Sequence, residues 1–235
     1  MKRYARFAAQ FALVPMINGP FVVSMTGRES VVEWAHIISG FATIYLIIGL
    51  LLVSAKNRDI RLSVVLALVL GLLEAIPGLP QLHAAVSPLL FATLTGAVIT
   101  LPPETATVHG KSRWIFALPA LVLLPIYYGV GYRHQTSSFW PHIGAAMLVA
   151  GFLAIFCVAM NERHPANKIL RRASNLMIAA VLGQVVFGIA AFVVRQLEIQ
   201  NGFFLAVART AHITGAALVL AASAEFAIQY RRSVV

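Results

Sequence analysis

Residues 31–55 read VVEWAHIISGFATIYLIIGLLLVSA: twenty-five positions with one carboxylate (Glu33), one imidazole (His36) and no Lys or Arg. A helix of about 20 apolar residues covers the hydrocarbon core of a bilayer, so this stretch reads as a membrane span. The rest of the chain has the same character. Of 235 residues, 60% are apolar and 11% charged, where a soluble domain is about half apolar and a quarter charged. So much Leu, Ile, Val and Phe with so little charge excludes a disordered chain. Cys157 is the only cysteine, which excludes a disulfide-stapled module.

Seven further stretches are long enough to cross: roughly 7–27, 62–80, 81–101, 114–132, 138–160, 175–196 and 204–229. The first follows Lys2, Arg3 and Arg6 in the manner of a signal peptide. No small-x-small cleavage site follows it, so it is read as a span. Pro15, Asn18, Gly19 and Pro20 interrupt it, which predicts a kinked or partly helical segment. The expected fold is an all-α integral membrane protein with eight transmembrane helices.

The net charge of +10 comes from 18 Lys and Arg against 8 Asp and Glu. With the N-terminus in the cytoplasm, fourteen of the basic residues fall inside: Lys2, Arg3, Arg6, Lys56, Arg58, Arg61, Lys111, Arg113, Arg163, Lys168, Arg171, Arg172, Arg231 and Arg232. Only Arg28, Arg133, Arg195 and Arg209 fall outside. This positive-inside bias places both termini in the cytoplasm of a cell inner membrane. The basic balance is thus a topology signal and not a nucleic-acid one. The longest connections, about 102–113 and 161–174, are too short for a soluble domain of roughly 50 residues. Any chemistry therefore lies inside the bilayer or at its edge.

The chain also reads as two copies of a four-span unit, 1–106 and 107–235, hence as two pseudo-symmetric four-helix bundles. Glu74-Ala75-Ile76-Pro77-Gly78 in the third span matches Gln184-Val185-Val186-Phe187-Gly188 in the seventh. Each sets a polar side chain one turn before a glycine on one helix face. The histidines repeat the same division. His109, His134 and His164 lie in loops, where a solvated role is expected. His36, His83, His142 and His212 fall one each in spans two, four, six and eight.

Those spans all start at the outer surface, and each histidine lies two to eight residues in. At 1.5 Å per residue the four imidazoles share a depth of about 3–12 Å. Two inward-facing histidines on non-adjacent helices of a bundle make an axial pair for a planar metallocycle. Small residues follow each one (Ser39-Gly40, Ala84-Ala85, Gly144-Ala145-Ala146, Gly215-Ala216-Ala217), leaving room for a flat ring against the backbone. Copper or zinc would more usually add Cys, Met or carboxylate ligands. Heme is therefore favoured, with both sites on the outer side.

Glu33 stands three residues before His36, which predicts a carboxylate on the face of the same pocket. The matching position before His142 is Phe139, so the halves are not chemically alike. Arg209 stands three residues before His212, placed to pair with an acidic substituent of the macrocycle. Glu74 reads as an intramembrane carboxylate about two-thirds of the way up the third span.

Together these residues resemble the heme A synthase family: eight spans, two four-helix halves, a histidine on each even-numbered span, and Glu33-x-x-His36 opening the second. The resemblance covers essentially the whole chain. It implies that His36 and His83 hold the substrate heme O (the product being heme A), that Glu33 is the catalytic carboxylate, and that His142 and His212 hold a relay heme b. The implied reaction is successive hydroxylation of one heme methyl group, then loss of water to give a formyl group. Implied partners are the bilayer, the heme substrate, a membrane electron donor, and heme O synthase or oxidase subunits, with a homo-oligomer left open. Three features depart from the family pattern: Ile37 stands where Arg usually follows the first histidine, the outer loop after span one is short, and Glu74 replaces the usual Gln. The alternative from another class is a non-catalytic diheme cytochrome b subunit of a respiratory complex.

Overall fold

The computed structural model describes residues 1–24, 29–55, 57–76, 78–99, 115, 117–197 and 202–233, leaving aside the side chains at 21, 23, 24, 29, 30, 58 and 59. Among these residues the chain is all α-helical, with no strand. The order is α1 (Lys2–Phe11), α2 (Leu13–Ser24), α3 (Glu29–Val53), α4 (Arg58–Glu74), α5 (Pro80–Ile99), α6 (Ala117–Arg133), α7 (Phe139–Arg163), α8 (Lys168–Gln196) and α9 (Gly202–Ser233). The segment 102–113, expected on the cytoplasmic side and holding His109, Lys111, Ser112 and Arg113, lies outside the described residues, as do Arg28, Lys56 and the boundary at 106/107.

Among the described residues five helices are long and apolar enough to cross a membrane: Val31–Val53 within α3, then α5, α7, α8 and α9. The helices α4 and α6 have 17 residues each, or about 26 Å at 1.5 Å per residue. The outward surface is that of a membrane-embedded protein. Leu62 is 77%, Leu148 76% and Ile155 74% exposed, which in water would be large apolar patches. The interior is rich in small residues instead, including Ala5, Ala8, Ala206, Ala217 and Ser223. Small side chains let helix backbones approach closely where apolar burial alone gives no preference over lipid.

Three helix boundaries are set by proline. In the first apolar stretch the break falls at Ala12, earlier than the Pro15–Pro20 interruption. Pro15 has no N–H to offer Phe11 and its ring crowds that carbonyl, so one helix ends and the next begins. The third stretch was expected over 62–80, but its helix is Arg58–Glu74. Pro77 disfavours helical geometry in the residue before it, and Gly78, at φ +80°, turns the chain toward α5. That corrects the place of Glu74, which is the last residue of its helix. At the end of α7, His164 stands before Pro165, which the same rule stops. The next helix is capped by the Asn167 side chain, which accepts from Leu170 N–H at 3.1 Å.

Two apolar cores form. One joins Ile47, Leu50, Ile60, Val64 and Leu94 of α3–α5 with alanines of α1. The other centres on Leu118, Leu153, Met177 and Phe226 of α6–α9 and takes in Met16, Phe91 and Ala92 from α2 and α5. The long α9 packs against α8 and α6 and also against α5 and α2. Where α9 crosses α5, a Cβ on Gly96 would come within 3.3 Å of Ile228.

Candidate functional site

The four membrane histidines lie four to eleven positions into α3, α5, α7 and α9. They come together as two pairs. His36 of α3 and His83 of α5 have ring centroids 5.5 Å apart with planes at 79°. His142 of α7 and His212 of α9 are 6.0 Å apart at 86°.

Each ring is anchored by a residue of a neighbouring helix, in three of the four cases through a backbone carbonyl. The acceptor of His36 Nδ1 is Pro15 O at 2.9 Å, that of His83 Nδ1 is Glu74 O at 3.1 Å, and that of His142 Nδ1 is Pro125 O at 3.0 Å. For His212 the partner residue is Gln184, through its side-chain amide. In every case a glycine stands four residues after the acceptor: Gly19, Gly78, Gly129 and Gly188. Residue i+4 of a helix sits directly over carbonyl i. At the three helical positions, Gly19, Gly129 and Gly188, a side chain would crowd the imidazole, whereas Gly78 lies past the end of its helix with open space around it. A Cβ on Gly19, Gly129 or Gly188 would lie 3.1, 3.0 and 3.0 Å from the histidine Cε1. Sequence reading found this spacing in two of the four places; at Pro15 and Gly19 it registered only an interruption.

The two halves reach this anchor differently. At Glu74 the helix has ended, so its carbonyl has no intrahelical donor and is free for His83. At Gln184 the helix runs on to Gln196, and it is the side chain that meets the ring. The Gln184 amide meets His212 Nδ1 at 3.1 Å, while its Oε1 is buried without a partner. With the amide turned so that Oε1 faces the ring, Nδ1–H donates to it and that atom is no longer orphaned. Gly215 makes room for this amide, since a Cβ there would collide with it.

A cavity of about 210 Å³ opens at the first pair, lined by both histidines, Pro15, Gly40, Glu74 and Ser87. The Ser87 hydroxyl donates to the Glu74 carboxylate. Ser87, four residues after His83 and on its face, was missed in the sequence, though that spacing marked it. Glu33 is exposed on α3 and is not among the residues lining this cavity. The carboxylate in the pocket is Glu74. Arg209 is half-buried on α9, one turn before His212, and faces Arg133, Arg195 and Tyr132. His134 lies in the turn after α6 and His164 at the end of α7.

With Nδ1 engaged as donor, Nε2 of each ring is left as the ligand atom. Two imidazoles on opposite faces of one iron, with metal–nitrogen bonds of about 2 Å, have ring centroids roughly 6 Å apart. The observed 5.5 and 6.0 Å fit that requirement. Gly40, which lines the cavity, has nothing within 4 Å of where a Cβ would lie, which leaves space there for a flat ring. A bare ion needs more ligands, and among the described residues no group of three or more His, Cys, Asp or Glu gathers. No known family model and no curated protein matches the chain.

Proposed function

We propose that this chain is a heme A synthase-like membrane oxidoreductase. The reading takes eight spans, α1 with α2 forming the first, as two four-helix halves with both termini in the cytoplasm. Heme b lies between His142 and His212, and the substrate, heme O, between His36 and His83. The observation that carries it is the pairing of the four histidines within halves at 5.5 and 6.0 Å, each Nδ1 tied to a neighbouring helix. Such anchors fix ring orientation and raise the basicity of the ligand nitrogen.

Bound in these two places, the macrocycles supply electron transfer in one half and the oxidisable methyl group in the other. The protein's own part is to hold and shield them. Pro15 O and Glu74 O orient the first pair, and Pro125 O and Gln184 orient the second. Glu74 and Ser87 give the first pocket a polar wall able to hold a proton near the substrate. In this reading Glu33, one turn outward of His36, serves the methyl group as it is oxidised.

The test is extraction and identification of the bound hemes, together with formyl-heme production in cells supplied with heme O. Formyl heme from this chain supports the enzyme. Two hemes b and no formyl heme would support the diheme cytochrome b instead. That second reading draws on one observation, that Glu33 lies outside the cavity lining. A visible spectrum without heme bands would refute both.

A further inference from the structure

Of the four basic residues assigned to the outer side, Arg28 lies outside the described residues. The other three converge. Arg195 donates to the Tyr132 hydroxyl and lies 4.7 Å from the centre of its ring. Arg209 faces both Arg195 and Tyr132, and Arg133 is close enough to Arg209 for the two cations to repel. Among the described residues no carboxylate is set against them. Glu198, in the loop between α8 and α9, is outside those residues, and one carboxylate would still leave two cations over. Arg133 and Arg209 are half-buried and Arg195 is exposed; like charges gathered where two of them are half-buried are costly unless an anion joins them.

Their position says which anion. Arg133 and Arg195 stand at the ends of α6 and α8, and Arg209 two turns into α9. A short aromatic row lies beside them: Tyr132 and Phe139 have ring centroids 5.3 Å apart, and Phe139 stacks on Phe192 at 5.2 Å. His142 follows Phe139 by three residues and His212 follows Arg209 by three, a rise of about 4.5 Å. The cations thus open directly over the second histidine pair. A porphyrin carries its two carboxylates on one edge, several ångströms from the iron. The first half offers Glu33 at the position of Phe139 and Pro80 at that of Arg209.

We infer that Arg133, Arg195 and Arg209 form an anion-binding mouth that takes the two carboxylates of the macrocycle held between His142 and His212. This rests on the heme reading above. It also accounts for three arginines on the side that positive-inside topology disfavours.

The full chain, freed of heme and held in uncharged phosphatidylcholine nanodiscs, is titrated with iron protoporphyrin and with its dimethyl ester. Binding constants and the bis-histidine spectrum are recorded for both sites. One site should take the diacid at least tenfold more tightly than the diester. That preference should collapse in Arg133→Gln/Arg209→Gln while the other site is unchanged. The wild-type comparison needs no variant, so a misfolded mutant leaves the test intact. Bis-histidine spectra with equal affinity for acid and ester at both sites would overturn the mouth and leave the heme reading standing. No bis-histidine spectrum with either compound would remove the heme reading, and the mouth with it.

Discussion

Replacing Gly129 by Ala separates anchoring from mere helix formation. The added Cβ would stand 3.0 Å from His142 Cε1 and 3.1 Å from Nδ1, where ordinary contacts begin at 3.4 Å. The ring must therefore give by about 0.4 Å. It is held by Pro125 O at 3.0 Å, and that shift carries the bond toward about 3.4 Å, the weak end of the range. The loss is about 1 kcal/mol. Alanine gains about 1 kcal/mol over glycine inside a helix, so the two effects roughly cancel in stability. The ligand does not share in that cancellation. A disturbed partner of a metal-bound histidine costs about 10–100-fold in affinity. Gly129→Ala should thus unfold near the wild-type temperature yet bind heme at the second site at least tenfold more weakly. The control is Gly151→Ala on the exposed face of α7, where nothing lies within 4 Å, and it should stabilise without touching heme. Thermal unfolding and heme titration of both variants decide it. A Gly129→Ala protein that gains the full stability of the control and binds heme normally would refute the anchoring argument.

Three other predictions follow from the same geometry. His142→Ala and His212→Ala should each remove the heme of the second half and leave the first half folded; full heme content in both would break the pairing. A cysteine at Ser137 should be labelled by a membrane-impermeant reagent from outside, and one at Ser112 only after permeabilisation, with buried Cys157 giving little background; the reverse pattern would invert the topology. Glu33→Gln should keep heme content near normal and abolish formyl heme, whereas unchanged formyl heme would move the catalytic role away from Glu33.

Much of this architecture is legible in the sequence because lipid imposes a simple rule. A span must be long and apolar, and a polar residue inside it needs a reason. One histidine on every second span therefore announced the pairs. The partners that hold those histidines were harder to see. Pro15 and Pro125 act through backbone carbonyls, which carry no side-chain signature, and the only written trace is the glycine four residues on. The end of α4 at Glu74 depended on Pro77, whose effect is one of degree, since Pro20, Pro88 and Pro125 all sit inside helices. Convergence of Arg133, Arg195 and Arg209 is tertiary. They are separated by up to 76 positions in the chain (209 − 133), and no local pattern joins them.

The two halves share a scaffold and differ in what surrounds it, and the differences all run one way. At the first pair the anchoring helix stops, its last residue is a carboxylate, and Ser87 lies against that carboxylate at the edge of a cavity. At the second pair the helix continues, an amide replaces the carboxylate, and Ala216 holds the position of Ser87. The outer end of the first half offers Glu33; that of the second offers three arginines and a row of stacked aromatic rings. An electron relay needs fixed axial ligands and dry surroundings, and that is the role proposed for the second half. A site that turns over a substrate needs space, an exchangeable proton and a way in. Among the described residues the cavity and the Glu74–Ser87 pair both lie at the first histidine pair, which is why the proposed reading makes that pair the working pocket and the other the fixed carrier.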